Sequence, residues 1–471
     1  MKRFLTVILS LCLIAALTGC SKKADNNTAE TSSAAAETTA MAETAAPSEK
    51  EPETVEETAA ETEPLTEAET EAETEAETEA PASEPVNCPA HIDLLLTRVC
   101  ETGQAPDNRF LYKTEYPAVH LSESAQGLDA LSLELFEDEK YCRDLCEEEK
   151  GFMISSLTED LLSDPYFQYL YNEIEGTVIR ADENVVSIRH DFSGYYGGVH
   201  GDYTVTAYNY DAKTGKPLSP ADIVTDTNAL YELLCEKLNA LPDTSFFDAP
   251  ENLLKEYDFS AAHRDFNTGA YSFNFAVGNT AAIFWFNPYE INSYADGLHE
   301  IVIPYADYPE LFVKEYTACA ENFFEPVSWY TQYAVGGSTF TISPQYNEYG
   351  FINGMDVNGE VFDVFTYNPC TYLARSNGNY YLYIFEDADD DEVFLDVIDL
   401  NGEKPVRAGR FPADMYREHD LLGAIEAPEN INASAARITV YPLTDPEDFL
   451  LKTPEGVKEY KMGENGLPVE K

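Results

Sequence analysis

The stretch Tyr195-Tyr-Gly-Gly-Val-His-Gly201, Asp202-Tyr-Thr-Val-Thr-Ala-Tyr-Asn209 and Tyr210-Asp-Ala-Lys-Thr-Gly-Lys-Pro-Leu218 sets the expectation for the fold. Its middle part is rich in β-branched and aromatic residues and reads as a strand. Gly197, Gly198 and Gly201 let the chain turn sharply beside His200. Residues 211–215 read as a turn in which Gly215 is free to adopt φ > 0.

Upstream, residues 171–181 and 184–192 alternate apolar and polar side chains and read as strands. Residues 128–149 have a one-sided apolar pattern, carried by Leu131, Leu133, Leu135, Tyr141 and Leu145, and read as a helix. A second helical pattern over 152–171 breaks near Pro165. Residues 111–117 read as a strand ending at Pro117, and 87–107 open with a short apolar strand or helix. Downstream, Ser219-Pro220 starts a short helix. Asp226 or Thr227 caps a helix over 228–239, and residues 252–258 read as helical. Residues 271–277 and 281–286 form a hairpin around Gly278-Asn279. Residues 287–297 turn with one helical twist, 300–304 form a strand and 305–314 a short helix.

After residue 317 the texture changes. Strand candidates fall at 335–342, 351–357, 361–367, 371–374, 380–385, 393–400 and 437–441. Asn358-Gly359, Asn377-Gly378 and Asn401-Gly402 are hairpin signals. The pattern suits a sandwich, barrel or part of a propeller. The expected fold class is α+β: an antiparallel sheet with packed helices over 87–316, then a second, mostly β domain over 317–471.

The first 86 residues read differently. Lys2 and Arg3 precede a short apolar run over 4–17, the layout of a signal peptide. It ends in Leu17-Thr18-Gly19-Cys20, which resembles a bacterial lipobox, so residues 1–20 are expected to direct lipidation of Cys20. No other apolar run is long enough to span a membrane as a helix. Residues 21–86 hold 19 acids, 3 lysines and no aromatic residue. Such a segment cannot offset its folding entropy and self-repels. As a flexible coil it spans roughly 45 Å. The expected arrangement is a lipid-anchored protein on the outer side of a bacterial membrane, carried on an acidic tether.

The chain as a whole has a net charge of −57. That excludes nucleic acid, which needs basic patches, and suits a cationic partner through field complementarity. Seven cysteines remain after residue 20: Cys88, Cys100, Cys142, Cys146, Cys235, Cys319 and Cys370. Cys88 and Cys100 are candidates for a bridge. Cys142 and Cys146 are spaced poorly for one, and they lack a second pair at zinc-finger spacing.

Several ordered motifs share one resemblance. Tyr195-Tyr-Gly-Gly-Val-His-Gly201, Asn209-Tyr-Asp211, Thr214-Gly-Lys216, Phe286-Asn-Pro-Tyr-Glu-Ile291, Tyr294-Ala-Asp-Gly297 and Ile303-Pro-Tyr305 resemble the RsiV-like C-terminal domain family. The likeness covers about 110–312, including the domain that usually precedes it. Val199 stands where members tend to have alanine. The family is extracellular and largely of unknown function. It includes the lysozyme-binding ectodomain of an anti-sigma factor and the non-catalytic part of PdaC-type peptidoglycan deacetylases. The resemblance implies the outer binding or sensing part alone, because neither a transmembrane sigma-binding segment nor a deacetylase domain is legible.

His200 between glycines, with Asp202 two residues on, is the sharpest polar candidate, as a binding contact or a general base. Trp285, Phe286, Tyr289 and Tyr294 are candidates for stacking on a sugar or packing on a protein, with alternation turning half of them to the core, and Tyr195 and Tyr196 are further binding candidates. Asp387, Asp389 and Asp391 have the spacing of a calcium loop, but Glu392 and Ile398 stand where glycine and glutamate are needed. No nucleophile elbow, phosphate loop, dinucleotide fingerprint or zinc-protease motif is present. The expectation is a non-enzymatic binding module with no cofactor and no metal, whose ligand is a cell-wall glycan or a cationic protein such as lysozyme. The competing expectation is a wall-polymer hydrolase centred on His200.

Overall fold

Strands of nine to twelve residues make the central sheet. In the computed structural model, residues 88–471 are described, apart from 124, 126, 243, 263–270, 328–331, 336–337, 349–351, 366–369 and 387–392. The expected signal with Cys20, the tether over 21–86 and the acidic loop over 387–392 lie outside the described residues. Strands β1 (Leu94–Gln104), β2 (Phe110–Leu121), β3 (Leu170–Ala181), β4 (Val185–Tyr195) and β5 (Asp202–Asp211) are neighbours in that order. All pair antiparallel except β2 with β3. A parallel pair needs a crossover, and helix α1 (Asp129–Ser156), followed by α2 (Glu159–Ser163), supplies it.

Helix α1 buries Leu131, Leu135, Asp138, Cys142, Cys146 and Met153 against the sheet. Those positions recur at three- and four-residue spacing, which is one helical face. Leu133 and Tyr141, expected on that face, are exposed, because they fall off this spacing. The first segment is a full strand, and β2 continues through Pro117. Its parallel ladder with β3 ends at Glu115 opposite Glu173, so Pro117 breaks no bond on that side.

A second layer covers the other side of β4 and β5. Helices α3 (Pro220–Ile223), α4 (Thr227–Asn239) and α5 (Pro250–Leu253) lead to the three-stranded sheet β6 (Asn274–Val277), β7 (Ala281–Phe286) and β8 (His299–Pro304). Asp226 caps α4 by accepting from Asn228 N and Ala229 N. Two asparagines join the layers by imitating backbone. Asn209 on β5 donates from Nδ2 to Phe275 O at 2.7 Å and accepts from Val277 N at 2.9 Å. Asn287 donates to Val205 O at 3.0 Å and accepts from Val205 N at 2.6 Å.

The short helix α6 (Lys314–Thr317) ends at the tightest junction. Arg180 on β3 is fully buried and directs every guanidinium donor to an acceptor. Nε and Nη2 grip Asp182 at 2.7 and 3.2 Å. Nη1 donates to Gly278 O at 3.2 Å and Tyr316 O at 2.6 Å, and Nη2 to Ala318 O at 2.5 Å. Nearby, Glu325 accepts from Asn279 N at 2.9 Å and Thr280 N at 3.2 Å. Burial pushes its carboxyl up to about 7.

The remaining strands are β9 (Phe323–Pro326), β10 (Gln332–Val335), β11 (Ser338–Tyr346), β12 (Ile352–Val357), β13 (Glu360–Phe362), β14 (Cys370–Ser376), β15 (Asn379–Glu386) and β16 (Phe394–Asp399). After them come β17 (Val406–Phe411), β18 (Asp414–Met415), β19 (Arg417–Ile425), β20 (Asn432–Val440), β21 (Phe449–Thr453), β22 (Gly456–Met462) and β23 (Pro468–Glu470). The five-stranded sheet β17-β16-β15-β14-β9 is buried on both faces. Leu373, Leu382 and Ile384 pack towards the sheet β10-β11-β12-β13, and Tyr372, Tyr383 and Phe385 into the main core. That core also takes in Phe449, Leu451 and Tyr460 from β21 and β22. The Asn-Gly turns at 358–359 and 377–378 have two successive positive φ values, as hairpin turns require.

The architecture is α+β with a mostly β C-terminal region. Strand pairing runs across the expected boundary at 316/317. Strand β20 pairs with β1 over nine positions, from Leu96 opposite Val440 to Gln104 opposite Asn432, and β19 pairs with β20. The central sheet therefore has seven strands in the order β19-β20-β1-β2-β3-β4-β5, and its core is shared by both halves of the sequence. Cys88 and Cys100, expected as a candidate bridge, are not joined, and no disulfide is present among the described residues.

Arg180→Met leaves Asp182 buried without its partner. Such a change should cost about 3–5 kcal/mol in chemical denaturation. Adding Asp182→Asn should recover part of that loss. A cost for Arg180→Met no larger than that of an exposed arginine would show that the junction contributes nothing to stability.

Candidate functional site

Two groups of aromatic rings meet at the end of β4 and the start of β5. Tyr195 closes β4 opposite Tyr171 on β3, and the two rings lie 6.2 Å apart. Tyr169, just before β3, is 5.8 Å from Tyr171, and Phe110 at the start of β2 is 6.2 Å from Tyr169. The second group comes from loops. His200 stacks on Tyr294 with centroids 4.1 Å apart, and Tyr289 lies 5.7 Å from Tyr294. Gly201 joins the groups. Tyr294 Oη donates to Gly201 O at 2.8 Å, and Tyr171 Oη is 3.5 Å from where a Cβ on Gly201 would stand. That Cβ would also be 2.9 Å from Gly194 O, so only glycine fits there. Of the three glycines expected to turn the chain, Gly197 alone has a positive φ, of 85°.

His200 Nδ1 is 2.8 Å from Gly201 O. A carbonyl only accepts, so Nδ1 carries the proton and Nε2 of the neutral ring is an acceptor. His200 and Tyr289 are exposed, whereas Tyr195, Tyr171, Tyr169 and Tyr294 are half-buried. Beside Tyr171 on the same face, Glu173 holds Lys113 at 2.9 Å, and Lys113 reaches Glu115 at 3.2 Å. Burial and then Glu173 push the Tyr171 phenol above its ordinary value.

Tyr289 has φ = 69°, a conformation that a bulky residue adopts only under constraint. The constraint is next to it. Glu290 accepts from Asn287 N at 2.8 Å and Asn287 Nδ2 at 3.2 Å. Asn274 Nδ2 and Tyr257 Oη each lie 3.4 Å from it. Burial pushes the Glu290 carboxyl up to about 7, against the lowering effect of those donors.

Four of the six expected site residues come together: Tyr195, His200, Tyr289 and Tyr294. Two do not. Tyr196 follows Tyr195 and points to the opposite face, as alternation requires. Its Oη accepts from Asn172 Nδ2 at 2.8 Å, and its ring packs on Phe152 of α1 at 5.8 Å. Burial and then Glu149 push its phenol up. Asp202 is exposed opposite Gly194 and acts on Glu149 and Tyr196. Tyr171, Tyr169, Phe110 and Glu290 were not anticipated. The alternation Tyr169-Leu-Tyr171 was the only signal for the first two.

Comparisons with known proteins bear on the region beside this site. Residues 221–306 match a family described as a protein of unknown function, DUF3298. The match falls inside the 110–312 stretch that carries the sequence resemblance and contains Glu290, Tyr289 and Tyr294. Among solved structures, the chain is similar to a DUF3298 family member from Bacteroides fragilis. That likeness has 20% identity and a TM-score of 0.34 and covers 48% of this chain and 95% of that one. A DUF3298 family protein from Pseudomonas aeruginosa is similar at 15% identity and a TM-score of 0.31, covering 47% of this chain and 96% of that one. The comparison with curated proteins found no match.

Glu290 provides a pH signature. Its folded value of about 7 is above the ordinary carboxyl value of about 4.3. The raised value means that its contribution to stability is full below about pH 4.3 and is lost as the pH rises to 7. Glu290→Gln does not titrate. The stability of the native chain relative to this variant should therefore fall by up to about 3 kcal/mol between pH 4.3 and 7. Parallel melting-temperature curves for the two chains would show that folding does not shift the carboxyl.

Proposed function

We propose that this chain is a non-catalytic binding or sensing module of the bacterial cell envelope, and that its aromatic row takes a cell-wall glycan. The row is the observation that supports the reading. Besides Tyr289, the rings of Phe110, Tyr169, Tyr171, Tyr195, His200 and Tyr294 line one end of the sheet, held by strand pairing and by the Tyr294–Gly201 bond. Phe110 and His200 are exposed and the four tyrosines half-buried. Half-buried rings present flat apolar faces at low entropic cost. The Glu173–Lys113 pair and the acceptor nitrogen of His200 offer hydrogen bonds beside them. In this reading Cys20 carries a lipid, the acidic segment over 21–86 is the tether, and the envelope is where the ligand is found.

A cationic secreted protein such as lysozyme is the second reading, supported by the net charge of −57. It is also what the sequence resemblance implies. The rival class, a wall-polymer hydrolase at His200, has weaker support. Among the described residues, His200 hydrogen-bonds its neighbour's carbonyl, and Asp202 lies on the other face.

Calorimetric titration with soluble peptidoglycan fragments tests the proposal. Tyr171→Ala, Tyr195→Ala and Tyr294→Ala should each weaken binding roughly tenfold, about 1.4 kcal/mol. Tyr346→Ala, on an exposed tyrosine of β11, should not. Lysozyme capture that weakens with salt, without fragment binding, would move the ligand to the cationic protein. Turnover of fragments that is lost in His200→Ala would replace binding with hydrolysis.

A further inference from the structure

The geometry points to a buried zinc site formed by Asp138, Cys142 and His190, which pins helix α1 to strand β4. One ligand atom from each residue lies within 4.8 Å of the other two, and all three residues are buried. Asp138 and Cys142 are four apart, so one helical face presents both. His190 comes from the strand beneath, 48 residues on in sequence from Cys142.

The spacing suits a tetrahedral metal. Zn–S and Zn–N bonds of about 2.3 and 2.05 Å at the tetrahedral angle put sulfur and nitrogen about 3.6 Å apart. Cys142 Sγ and His190 Nδ1 are 3.6 Å apart. Elsewhere the set has to close by at most on the order of 1 Å. A thiolate, an imidazole and a carboxylate are the mixed donors zinc takes, and calcium or magnesium would want oxygens instead. Charge gives a second argument. Metal binding takes the proton from Cys142, which leaves a carboxylate and a thiolate beside the ion. A divalent cation between them makes the loaded site neutral. A water completes the coordination. The site is sealed beneath α1, so the ion acts as a clamp and takes no part in binding the glycan. Cys146, one turn on, is engaged elsewhere, since its Sγ donates to Glu115 O at 3.3 Å and Asn172 Oδ1 at 3.2 Å.

The test uses the full chain, stripped with chelator and then given Zn²⁺ or Co²⁺ alone. About one zinc per chain should be retained after dialysis, and zinc should raise the melting temperature by several degrees. Cobalt should give the intense visible band of a tetrahedral site and a thiolate charge-transfer band. Cys142→Ser should abolish the charge-transfer band, and His190→Ala and Asp138→Asn should each weaken zinc at least tenfold. Cys88→Ser, at an exposed cysteine, should change neither. No retained zinc and no cobalt band in the native chain would overturn the site and leave a hydrogen-bonded triad. Zinc retained unchanged in folded Cys142→Ser and His190→Ala would overturn it too, by placing the ion elsewhere. The native chain's cobalt spectrum and zinc-dependent melting decide the matter even where a variant does not fold.

Discussion

Arg180 is fully buried, and all five of its N–H donors have acceptors. A guanidinium in a protein interior is tolerable only when paired and fully hydrogen-bonded. The acceptors come from three places: Asp182 on the strand turn, Gly278 in the β6–β7 hairpin, and the carbonyls of Tyr316 and Ala318. Asp182 in turn accepts from Asn184 N and Val185 N, which sets the turn from β3 into β4. One side chain thus ties the central sheet, the small sheet and the crossing to the C-terminal region into a single junction. A hydrophobic replacement of similar size would fill the space and satisfy none of these carbonyls. The acceptors and Asp182 would stay buried without the guanidinium donors, which is why losing Arg180 is costly.

The aromatic row depends on that arrangement. Its rings come from β2, β3, β4, the glycine-rich turn and the loop after β7, so it exists only when the small sheet is seated on β5. Asn209 and Asn287 do the seating, each matching one backbone donor and one acceptor across the layers. Gly215 plays a similar part further away: a Cβ there would lie 2.6 Å from the backbone of Ala130, so the turn rests directly on the start of α1. The sequence motifs that stand out here, Asn209-Tyr-Asp211, Thr214-Gly-Lys216 and Phe286-Asn-Pro-Tyr-Glu, are largely framework. Asp211 accepts from Thr214 N, Asn209 and Asn287 bridge the sheets, and Glu290 holds the loop that carries Tyr289.

Local structure was legible where a local cause governs it. The β6–β7 hairpin, the Asp226 cap and the Asn-Gly turns at 358–359 and 377–378 follow from neighbouring residues alone, whereas Asn401-Gly402 lacks the positive φ values of such a turn. The extension of β2 past Pro117 was not legible, because it depends on where the hydrogen-bonded ladder to β3 ends. Nor was the return of β19 and β20 to β1, a pairing across more than 300 residues that leaves no periodic trace in either segment. Among site residues, His200 stood out through its glycine neighbours and Tyr294 through the motif Tyr294-Ala-Asp-Gly297. Tyr171 and Phe110 did not, since an aromatic residue on a strand looks the same whether it faces a core or a ligand. Tyr196 shows the cost of that ambiguity: one step along an extended chain reverses the face.

Tyr289 brings stability and site together. Its left-handed backbone costs on the order of 1–3 kcal/mol, which the surrounding contacts must offset. Glu290 supplies the offset through Asn287, and Asn287 commits its own amide to β5. The loop therefore cannot relax without loosening the joint between the two layers. A flexible loop would present Tyr289 at many angles and lose entropy on every encounter. A loop wired into the interlayer hydrogen bonds presents it at one, so that loss is met once, during folding.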